Sequence, residues 1–242
     1  MHARITIEDT ALFADPSGAL YWPAVKTLVV ADLHLEKGSA YAAKGVMLPP
    51  YDTRATLGEL QRLIRRYTPA RVVCLGDSFH DTGAADRIAP ADREMLVRRM
   101  DGVDWVWVLG NHDPAIPSGL GGRAVTEVAE GRLVLRHAPA GAVLSPGEIV
   151  GHFHPKACVT TSAGRVVAPC FAHDGRRMVM PAFGAYAGGL DALDRAIAGL
   201  FGRARFRVLM TGRDRLHLFP ADRLAPIARL PKPPREPKPP RE

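Results

Sequence analysis

The side chains that could perform chemistry collect in four short segments of the 242-residue chain. These segments hold six of its nine histidines, together with carboxylate and carboxamide side chains. Imidazole nitrogens and carboxylate oxygens bind divalent cations such as Mn²⁺, Fe²⁺ and Zn²⁺, and the set contains no thiolate. The sequence therefore predicts a site for two such ions. The predicted ligands are Asp32, His34, Asp77, Asn111, His137, His152 and His154.

A pair of divalent ions suits displacement reactions at phosphorus. Two divalent ions about 3.5–4 Å apart clamp an in-line displacement, because they polarise the phosphoryl oxygens and activate a water. Such a site needs few other catalytic groups. We therefore expect the chain to hydrolyse a phosphate ester.

The spacing of the candidate ligands supports a shared site. Asp32 and His34 stand two residues apart, as do His152 and His154. In an extended chain, residues two apart point to the same side, so each pair could reach one cation. The glycine before Asp77 permits a tight turn and a close backbone approach. A single triplet of this kind arises often by chance, so the prediction depends on the segments occurring together.

The elements that must position these ligands are short apolar strands. We predict strands at residues 27–31 (TLVVA), 71–75 (RVVCL) and 104–109 (DWVWVL). Amphipathic helices are predicted between them, one capped by Asp52 and one beginning at Pro90. The order is then β-α-β-α-β. In α/β sheets, ligand sites form where the carboxyl ends of the strands meet, which is where the candidate ligands follow.

The second half of the chain is richer in short strand candidates. These candidates lie at residues 132–136, 166–168, 176–180, 205–210 and 215–219. One helix is predicted at residues 191–200, and an irregular loop near the site is predicted at residues 181–190. The mixture predicts an α/β fold in which two sheets pack face to face with helices outside.

One catalytic domain is predicted over residues 1–229. The hydrophobic content of 47% is enough for one sizeable core. Residues 230–242 contain the unit P-K-P-P-R-E twice, and we predict a disordered tail because proline removes backbone donors and disfavours helix.

Charge and targeting signals narrow the class of protein. The net charge of +7 and the isoelectric point near 9.7 favour a polyanionic partner. No apolar run has the length of a membrane span, and the N-terminal segment lacks the apolar region of a secretory signal. We therefore expect a cytoplasmic protein without a membrane partner. Three cysteines without a C-x-x-C pair indicate neither a disulfide framework nor a zinc ribbon.

Read in order, the blocks D-x-H, G-D, G-N-H-D, a lone H and G-H-x-H resemble the signature of the calcineurin-like metallophosphoesterase superfamily over residues 27–155. The resemblance implies an α/β/β/α sandwich of two mixed sheets with flanking helices. Protein phosphatases of this superfamily carry G-D-x-x-D-R-G at the second block. The corresponding run here is G-D-S-F-H-D-T-G, which disfavours a protein phosphatase.

The resemblance also implies a role for each site residue. One ion would be held by Asp32, His34, Asp77 and His154, and the other by Asp77, Asn111, His137 and His152. Asp77 would then bridge the two ions. His112 matches the residue that protonates the leaving oxygen or stabilises the transition state, and His80 is a second catalytic candidate that could contact the phosphate.

Longer stretches resemble one group within the superfamily. The runs ADLHLEKG, GVMLPPYDT, LGDSFHD, VGHFHP and PAFGAYAGGL are similar to the PdeM group of bacterial ligase-associated DNA damage response phosphoesterases. This resemblance implies a manganese-dependent DNA endonuclease that acts in repair on single-stranded or flap DNA. It also implies a helicase, an ATP-dependent DNA ligase and an exonuclease as partners in the same system.

Residues outside the ligand set could bind the DNA. Lys37, Lys44 and Arg54 could contact phosphates, because such contacts place a strand without reading its sequence. Phe79, Phe153 and Tyr186 lie in or near the motif loops and could stack on bases, although core packing is favoured for Phe153.

Two other functions are compatible with the same residues. The ion pair could hydrolyse a cyclic nucleotide or a phosphomonoester, and the motifs alone do not separate this small-molecule activity from a nuclease. Alternatively, the fold could serve as a non-catalytic interaction scaffold. The scaffold is disfavoured because every ligand position holds a suitable side chain.

Overall fold

The computed structural model describes residues 2–141, 147–202 and 205–227 of the chain. The predicted tail at residues 230–242 lies outside the described residues. The helices are α1 Lys37–Ala42, α2 Asp52–Tyr67, α3 Ala84–Arg87, α4 Pro90–Met100 and α5 Arg195–Ala198. Short 3-10 helices lie at Pro23–Val25, Gly199–Phe201 and Ala221–Arg223.

The first sheet is formed by the first half of the chain. Its strands, in sheet order, are β1 Ala3–Ile7, β2 Thr10–Ala14, β3 Leu20–Trp22, β4 Thr27–Val30, β5 Arg71–Leu75, β6 Asp104–Val108 and β7 Arg123–Val125. Strands β1 to β4 pair antiparallel, and β4 to β7 pair parallel. The parallel part aligns the carboxyl ends of β4, β5 and β6 at one edge of the sheet.

The second sheet is formed by the second half. Its strands, in chain order, are β8 Glu127–Glu130, β9 Leu133–Arg136, β10 Gly147–Val150, β11 Lys156–Thr161, β12 Gly164–His173, β13 Arg177–Val179, β14 Arg207–Thr211 and β15 Leu216–Pro220. The order across the sheet is β15-β14-β12-β13-β10-β9-β8, with β11 paired to β12. Strands β9, β10 and β13 run parallel, so their carboxyl ends also share an edge.

The two sheets pack against each other through an apolar core. Along β5, Val73 faces this core whereas Val72 faces the helices, and both side chains are fully buried. This alternation follows from the two-residue period of a strand, and a strand covered on both faces is apolar throughout. The second sheet contributes Leu133, Ile149 and Phe171 to the same core. Burial on both faces explains why TLVVA, RVVCL and DWVWVL were recognisable as strands.

Helices cover the outer faces of both sheets. Helix α2 packs Leu57, Leu60 and Leu63 on the first sheet. On the second sheet, Ile197 and Phe201 cover the face opposite the central core. The layers are therefore α/β/β/α, and the predicted fold class is confirmed.

Two predictions about helices were wrong in detail. Asp52 does not cap α2: it is the first helical residue, and its carboxylate accepts a hydrogen bond from the backbone N–H of Gly38 at 3.1 Å. The helix predicted at residues 191–200 is short, because α5 spans only Arg195–Ala198 and then tightens into a 3-10 turn. Residues 181–190 contain neither helix nor strand, as predicted.

Within the described part of the chain, no helix has the length and apolar character needed to cross a membrane.

Candidate metal centre

The predicted ligands lie at the carboxyl ends of strands from both sheets. Asp32 and His34 follow β4, and Asp77 and Asn111 follow β5 and β6. The remaining ligands follow β9 and β10 of the second sheet. Because the parallel strands of each sheet end at one edge, the sandwich brings five loops together. The structure therefore assembles all seven predicted ligands from two sheets.

The backbone of the ligand loops is not extended. Asp32, His34, Asp77, His152 and His154 all have positive φ, at 53°, 44°, 46°, 71° and 48°. The expectation that residues two apart share a side of an extended chain was therefore wrong, because each residue sits in a left-handed turn. Such turns strain residues that have a Cβ, and strain of this kind concentrates at functional sites.

Glycines let these loops approach one another. Gly76 has a φ of 75°, and a Cβ at this position would overlap the imidazole of His137. At Gly110, a Cβ would overlap the backbone nitrogen of Asp77 and the carboxylate of Asp113. Both positions precede a predicted ligand. Glycine is required at Gly76 because the ring of His137 from the second sheet lies against its backbone, and at Gly110 because the loop after the neighbouring strand β5 does.

The first group of ligands consists of Asp32, His34 and His154, whose ligand atoms lie within 4.8 Å of one another. The Nε2 atoms of His34 and His154 are 3.2 Å apart, and His154 Nε2 is 3.4 Å from Asp32 Oδ1. Burial first, and then the neighbouring His154 and Lys37, lower the pKa of His34 to about 2. The imidazole of His34 is therefore neutral, as metal binding requires.

The second group consists of Asp77, His137 and His152, again with ligand atoms within 4.8 Å. His137 Nδ1 lies 3.2 Å from the carbonyl oxygen of Leu75, to which an Nδ1 proton can be donated, and in that tautomer Nε2 can bind a cation. That Nε2 is 2.9 Å from Asn111 Oδ1, 3.1 Å from His152 Nδ1 and 3.4 Å from Asp77 Oδ1. Lone pairs that face one another at such distances indicate a place for a cation.

The charges of the site also fit divalent ions. The carboxylates of Asp32 and Asp77 are 0% and 2% exposed, and no lysine or arginine of the described residues forms an ion pair with either. A buried carboxylate without a cationic partner is costly. The nitrogen and oxygen donors suit Mn²⁺, Fe²⁺ or Zn²⁺. We conclude that the residues present fit a pair of divalent ions.

The two groups adjoin each other. Asp32 of the first group lies 3.7 Å from His137 Nδ1 of the second, and its carboxylate accepts a hydrogen bond from the backbone N–H of His152 at 2.9 Å. Asp77 contacts the second group and the backbone N–H of His112, at 2.9 Å. The bridging role of Asp77 between two ions stays a prediction.

The two predicted catalytic histidines lie beside the first group. One nitrogen each of His34, His80 and His112 lie within 4.8 Å of one another. The rings of His80 and His112 stack with centroids 5.5 Å apart. The backbone carbonyl of His80 accepts a hydrogen bond from His112 Nδ1 at 2.7 Å, which leaves Nε2 of His112 4.0 Å from Asp77 Oδ2. The exposed His112 can therefore meet a substrate at the open side of the centre.

Asp113 supports the site, although it is not among the residues predicted from the sequence. This carboxylate is 2% exposed and accepts backbone hydrogen bonds from Asp77, Ser78 and Gly110 at 3.0, 2.7 and 3.0 Å. Burial raises its pKa to about 6, against the opposing effect of the hydrogen bond from Ser78. Asp113 thus fixes the loops after β5 and β6 to each other. Its place directly after G-N-H was the available signal.

Three of the residues predicted to contact the substrate differ in their positions relative to the centre. Lys37 lies near the centre: its Nζ is 6.0 Å from the ring centroid of Tyr41, and that ring lies 5.9 Å from the ring of His80. Arg54 is an exposed side chain paired with Asp92 at 2.9 Å. The prediction that Phe79 stacks on a base was wrong: it is 1% exposed and packs in the core between the first sheet and its helices.

Comparison with known proteins agrees with this geometry. The family described as calcineurin-like phosphoesterase matches residues 25–160, which include all the predicted ligands. Among solved structures, the nuclease MPE of Pseudomonas putida is 26% identical, with a TM-score of 0.69, and the match covers 91% of this chain and 100% of that chain. Yfce, a phosphoesterase from E. coli, is 15% identical with a TM-score of 0.35, covering 76% and 87% of the two chains. No curated protein sequence matches.

Proposed function

Since this chain belongs to the calcineurin-like phosphoesterase family and is a metal-dependent phosphoesterase, we propose that its substrates are nucleic acid strands, DNA in particular. The observation that carries the proposal is the similarity to a nuclease that is 26% identical over 91% of this chain. The junction of the two ligand groups agrees with it, because a pair of ions suits the hydrolysis of phosphate esters, phosphodiesters among them. The net charge of +7 favours a polyanionic substrate.

Each residue of the site has a different role in the proposed reaction. Divalent ions, when bound, polarise the phosphoryl oxygens and supply an activated water. Asp77 lies between the ligands of the second group and the catalytic histidine, where it would join the two halves of the site. His112 donates its Nδ1 proton to the carbonyl of His80, so a proton on Nε2 requires the doubly protonated ring. In that form Nε2 would give its proton to the leaving sugar oxygen and return to the neutral imidazole. His80 stacks on this ring and fixes its orientation.

Finer assignments extend this proposal. We propose manganese as the native ion and repair of single-stranded or flap DNA as the setting. The helicase, ATP-dependent DNA ligase and exonuclease partners and the PdeM group membership stay predictions that rest on the sequence resemblance. A cytoplasmic location stays a prediction from the lack of membrane and secretory segments in the sequence.

A panel of substrates tests the substrate class. The metal-stripped protein, supplied with Mn²⁺, is offered single-stranded DNA, duplex DNA, RNA, bis(p-nitrophenyl) phosphate, the matching monoester and a cyclic nucleotide. We expect cleavage of single-stranded DNA and of the synthetic diester. Turnover of the monoester or the cyclic nucleotide alone would contradict the nuclease proposal and assign a small-molecule activity.

Variants of the second ligand group test the site. Asp77→Ala and His137→Ala each remove a proposed metal ligand, so we expect Mn²⁺-dependent cleavage of DNA to be abolished while the thermal unfolding transition is retained. His217→Ala removes an exposed histidine elsewhere in the chain and is the matched control. Retained cleavage by either ligand variant would contradict the assignment.

A further inference from the structure

An exposed apolar segment borders the metal centre. Four of the nine large apolar side chains that are exposed in the described residues lie within residues 41–51. These are Tyr41, Val46, Met47 and Tyr51, with 37%, 50%, 82% and 66% of their surface exposed. We call residues 41–51 the rim segment. Apolar side chains concentrated on one exposed loop indicate a binding surface, because solvation alone does not favour them.

The rim segment contacts His80, one of the two proposed catalytic histidines, at its beginning. The ring of Tyr41 lies 5.9 Å from that of His80, which in turn stacks on His112. The backbone carbonyl of Tyr41 accepts a hydrogen bond from the N–H of Val46 at 3.0 Å, so the chain turns back over this residue. One end of the rim segment therefore lies beside His80 and, through it, near His112, the proposed donor to the leaving oxygen.

The far end of the rim segment is also tied to the centre. The backbone N–H of Gly184 donates to the carbonyl of Asp32 at 3.2 Å, and two residues later the hydroxyl of Tyr186 donates to the carbonyl of Pro49 at 2.9 Å. Residues 184–186 thus connect a proposed metal ligand to the residues that precede Tyr51. The exposed apolar side chains are held at the edge of the site and not at a distance from it.

The charges around the rim segment suit a phosphate-bearing strand. The segment contains Lys44 and no acidic residue. Lys37 lies just before it, with its Nζ 6.0 Å from the ring centroid of Tyr41. The backbone N–H of Lys44 donates to the carbonyl of Tyr41 at 2.9 Å, so Lys44 lies within one turn of the same tyrosine. Positive charge next to exposed apolar side chains is the combination that binds single strands, through phosphates and bases respectively.

We propose that Met47 and Tyr51 of the rim segment hold an unpaired nucleobase next to the phosphate that enters the metal centre, while Lys44 contacts the backbone of the same strand. The inference rests on the proposed nuclease function and names the residues that bind its substrate. A base offers its face to a side chain only when neighbouring bases do not cover it, so this contact favours unpaired strands over duplex.

The test removes the base and the side chain separately. A single-stranded oligonucleotide and a fully abasic strand of the same length are cleaved by the wild type, by Met47→Ala/Tyr51→Ala and by Tyr51→Phe. We expect kcat/KM of the double variant on the oligonucleotide to fall about ten-fold to a hundred-fold, the range that stacking of a base supplies. On the abasic strand the double variant should match the wild type, and Tyr51→Phe should stay near the wild type on both.

Controls keep the outcomes distinguishable. Val97→Ala and Leu218→Ala shorten exposed apolar side chains on α4 and β15, at 41% and 55% exposure, and should leave cleavage unchanged. Mn²⁺ binding followed by electron paramagnetic resonance reports whether each variant retains its centre. Equal cleavage by the double variant and the wild type would overturn the rim segment as a base site and leave the nuclease proposal intact. A wild type that hydrolyses bis(p-nitrophenyl) phosphate but no oligonucleotide would overturn both.

Discussion

Five of the seven proposed ligands adopt left-handed backbone conformations that side chains with a Cβ avoid. Each such residue costs roughly 1 kcal/mol or more. Backbone hydrogen bonds hold the turns: the N–H of Asp32 donates to Gly76 at 3.2 Å, and the N–H of His34 donates to Asp77 at 2.9 Å. The ligand side chains are therefore oriented by the loops themselves, before any ion binds.

Asp113 should control metal affinity without touching the substrate. Asp113→Ala leaves the buried N–H groups of Asp77 and Ser78 without their acceptor, so we expect Mn²⁺ affinity to fall about 10- to 100-fold. Each buried N–H left unpaired also costs about 1–3 kcal/mol of stability. Isothermal titration with Mn²⁺ measures the first effect and urea unfolding the second. Asp101→Asn changes an exposed carboxylate and should show neither effect.

His173 should make the fold sensitive to acid. Burial lowers its pKa to about 4 from an ordinary value of 6.5, and its Nδ1 is buried without a hydrogen-bond partner among the described residues. As the pH falls below 6.5, His173 becomes protonated in the unfolded chain, whereas in the folded chain it becomes protonated only near pH 4. The stabilising contribution of the neutral ring is therefore complete above that window and is lost as the pH falls through it.

The measurement compares urea unfolding of the wild type and His173→Gln at about pH 7 and about pH 5. The wild type should lose roughly 2 kcal/mol more than the variant between these two values, since each pKa unit corresponds to about 1.36 kcal/mol. His217→Gln alters an exposed histidine and should behave as the wild type. Equal losses in the wild type and His173→Gln would contradict the prediction.

At the level of single residues, the sequence was sufficient to predict the metal ligands, because the motifs fix both the residue types and their spacing. The positions of Asp32, His34 and the other ligands were predicted, and the structure brings them together. The sequence was insufficient where direction matters. Phe79 lies between Asp77 and His80, and no letter pattern shows that its side chain turns into the core between sheet and helices. The left-handed turns could not be predicted either, because a positive φ is expected at glycine and not at residues that have a Cβ.

At the scale of elements, burial on both faces decided which strands were predictable. Strand β5 was predicted with its observed limits, Arg71–Leu75, because nearly every side chain in it is apolar and buried. Strands β1, β2 and β3 were missed: β1 alternates exposed and buried residues over only five positions, and β3 has three residues. Short strands obtain their stability from neighbouring strands, which local sequence does not show.

A buried ion pair fixes strand β10, whose end carries His152. Glu148 on β10 and Arg177 on the neighbouring β13 are each 1% exposed, with Arg177 Nε 2.7 Å from Glu148 Oε2. Arg177 also donates to the carbonyls of Ala140 and Leu200 at 2.9 Å. The pair thus joins two strands to the loop after β9 and to the outer helical layer.

Removing one partner of this pair should be costly. Glu148→Gln leaves the guanidinium of Arg177 buried without a countercharge, so we expect a loss of about 3–5 kcal/mol in the free energy of unfolding. The control, Asp104→Asn, breaks the solvent-exposed pair with Arg71 and should cost about 1 kcal/mol or less. Urea unfolding at neutral pH measures both. A loss for Glu148→Gln no larger than that of the control would contradict the structural role of the pair.

At the scale of the whole molecule, one site is built from two halves of the chain. The first sheet supplies Asp32, His34, Asp77 and Asn111, and the second supplies His137, His152 and His154. The apolar core between the sheets holds these halves in register. Sequence analysis predicted the layers, but it could not give the order of the strands in the second sheet. That order depends on pairings between distant segments, such as β10 with β13 and β12 with β14.

If two divalent ions in this centre make the chain cleave nucleic acid strands, cleavage must follow their binding. This is measured by titrating the metal-stripped protein with Mn²⁺ and following cleavage of a labelled single-stranded oligonucleotide at each addition. We predict no cleavage without metal, a rise that is complete after about two equivalents of tightly bound ion, and no rise for His137→Ala. Cleavage by the stripped protein, or an unchanged titration for His137→Ala, would contradict the account.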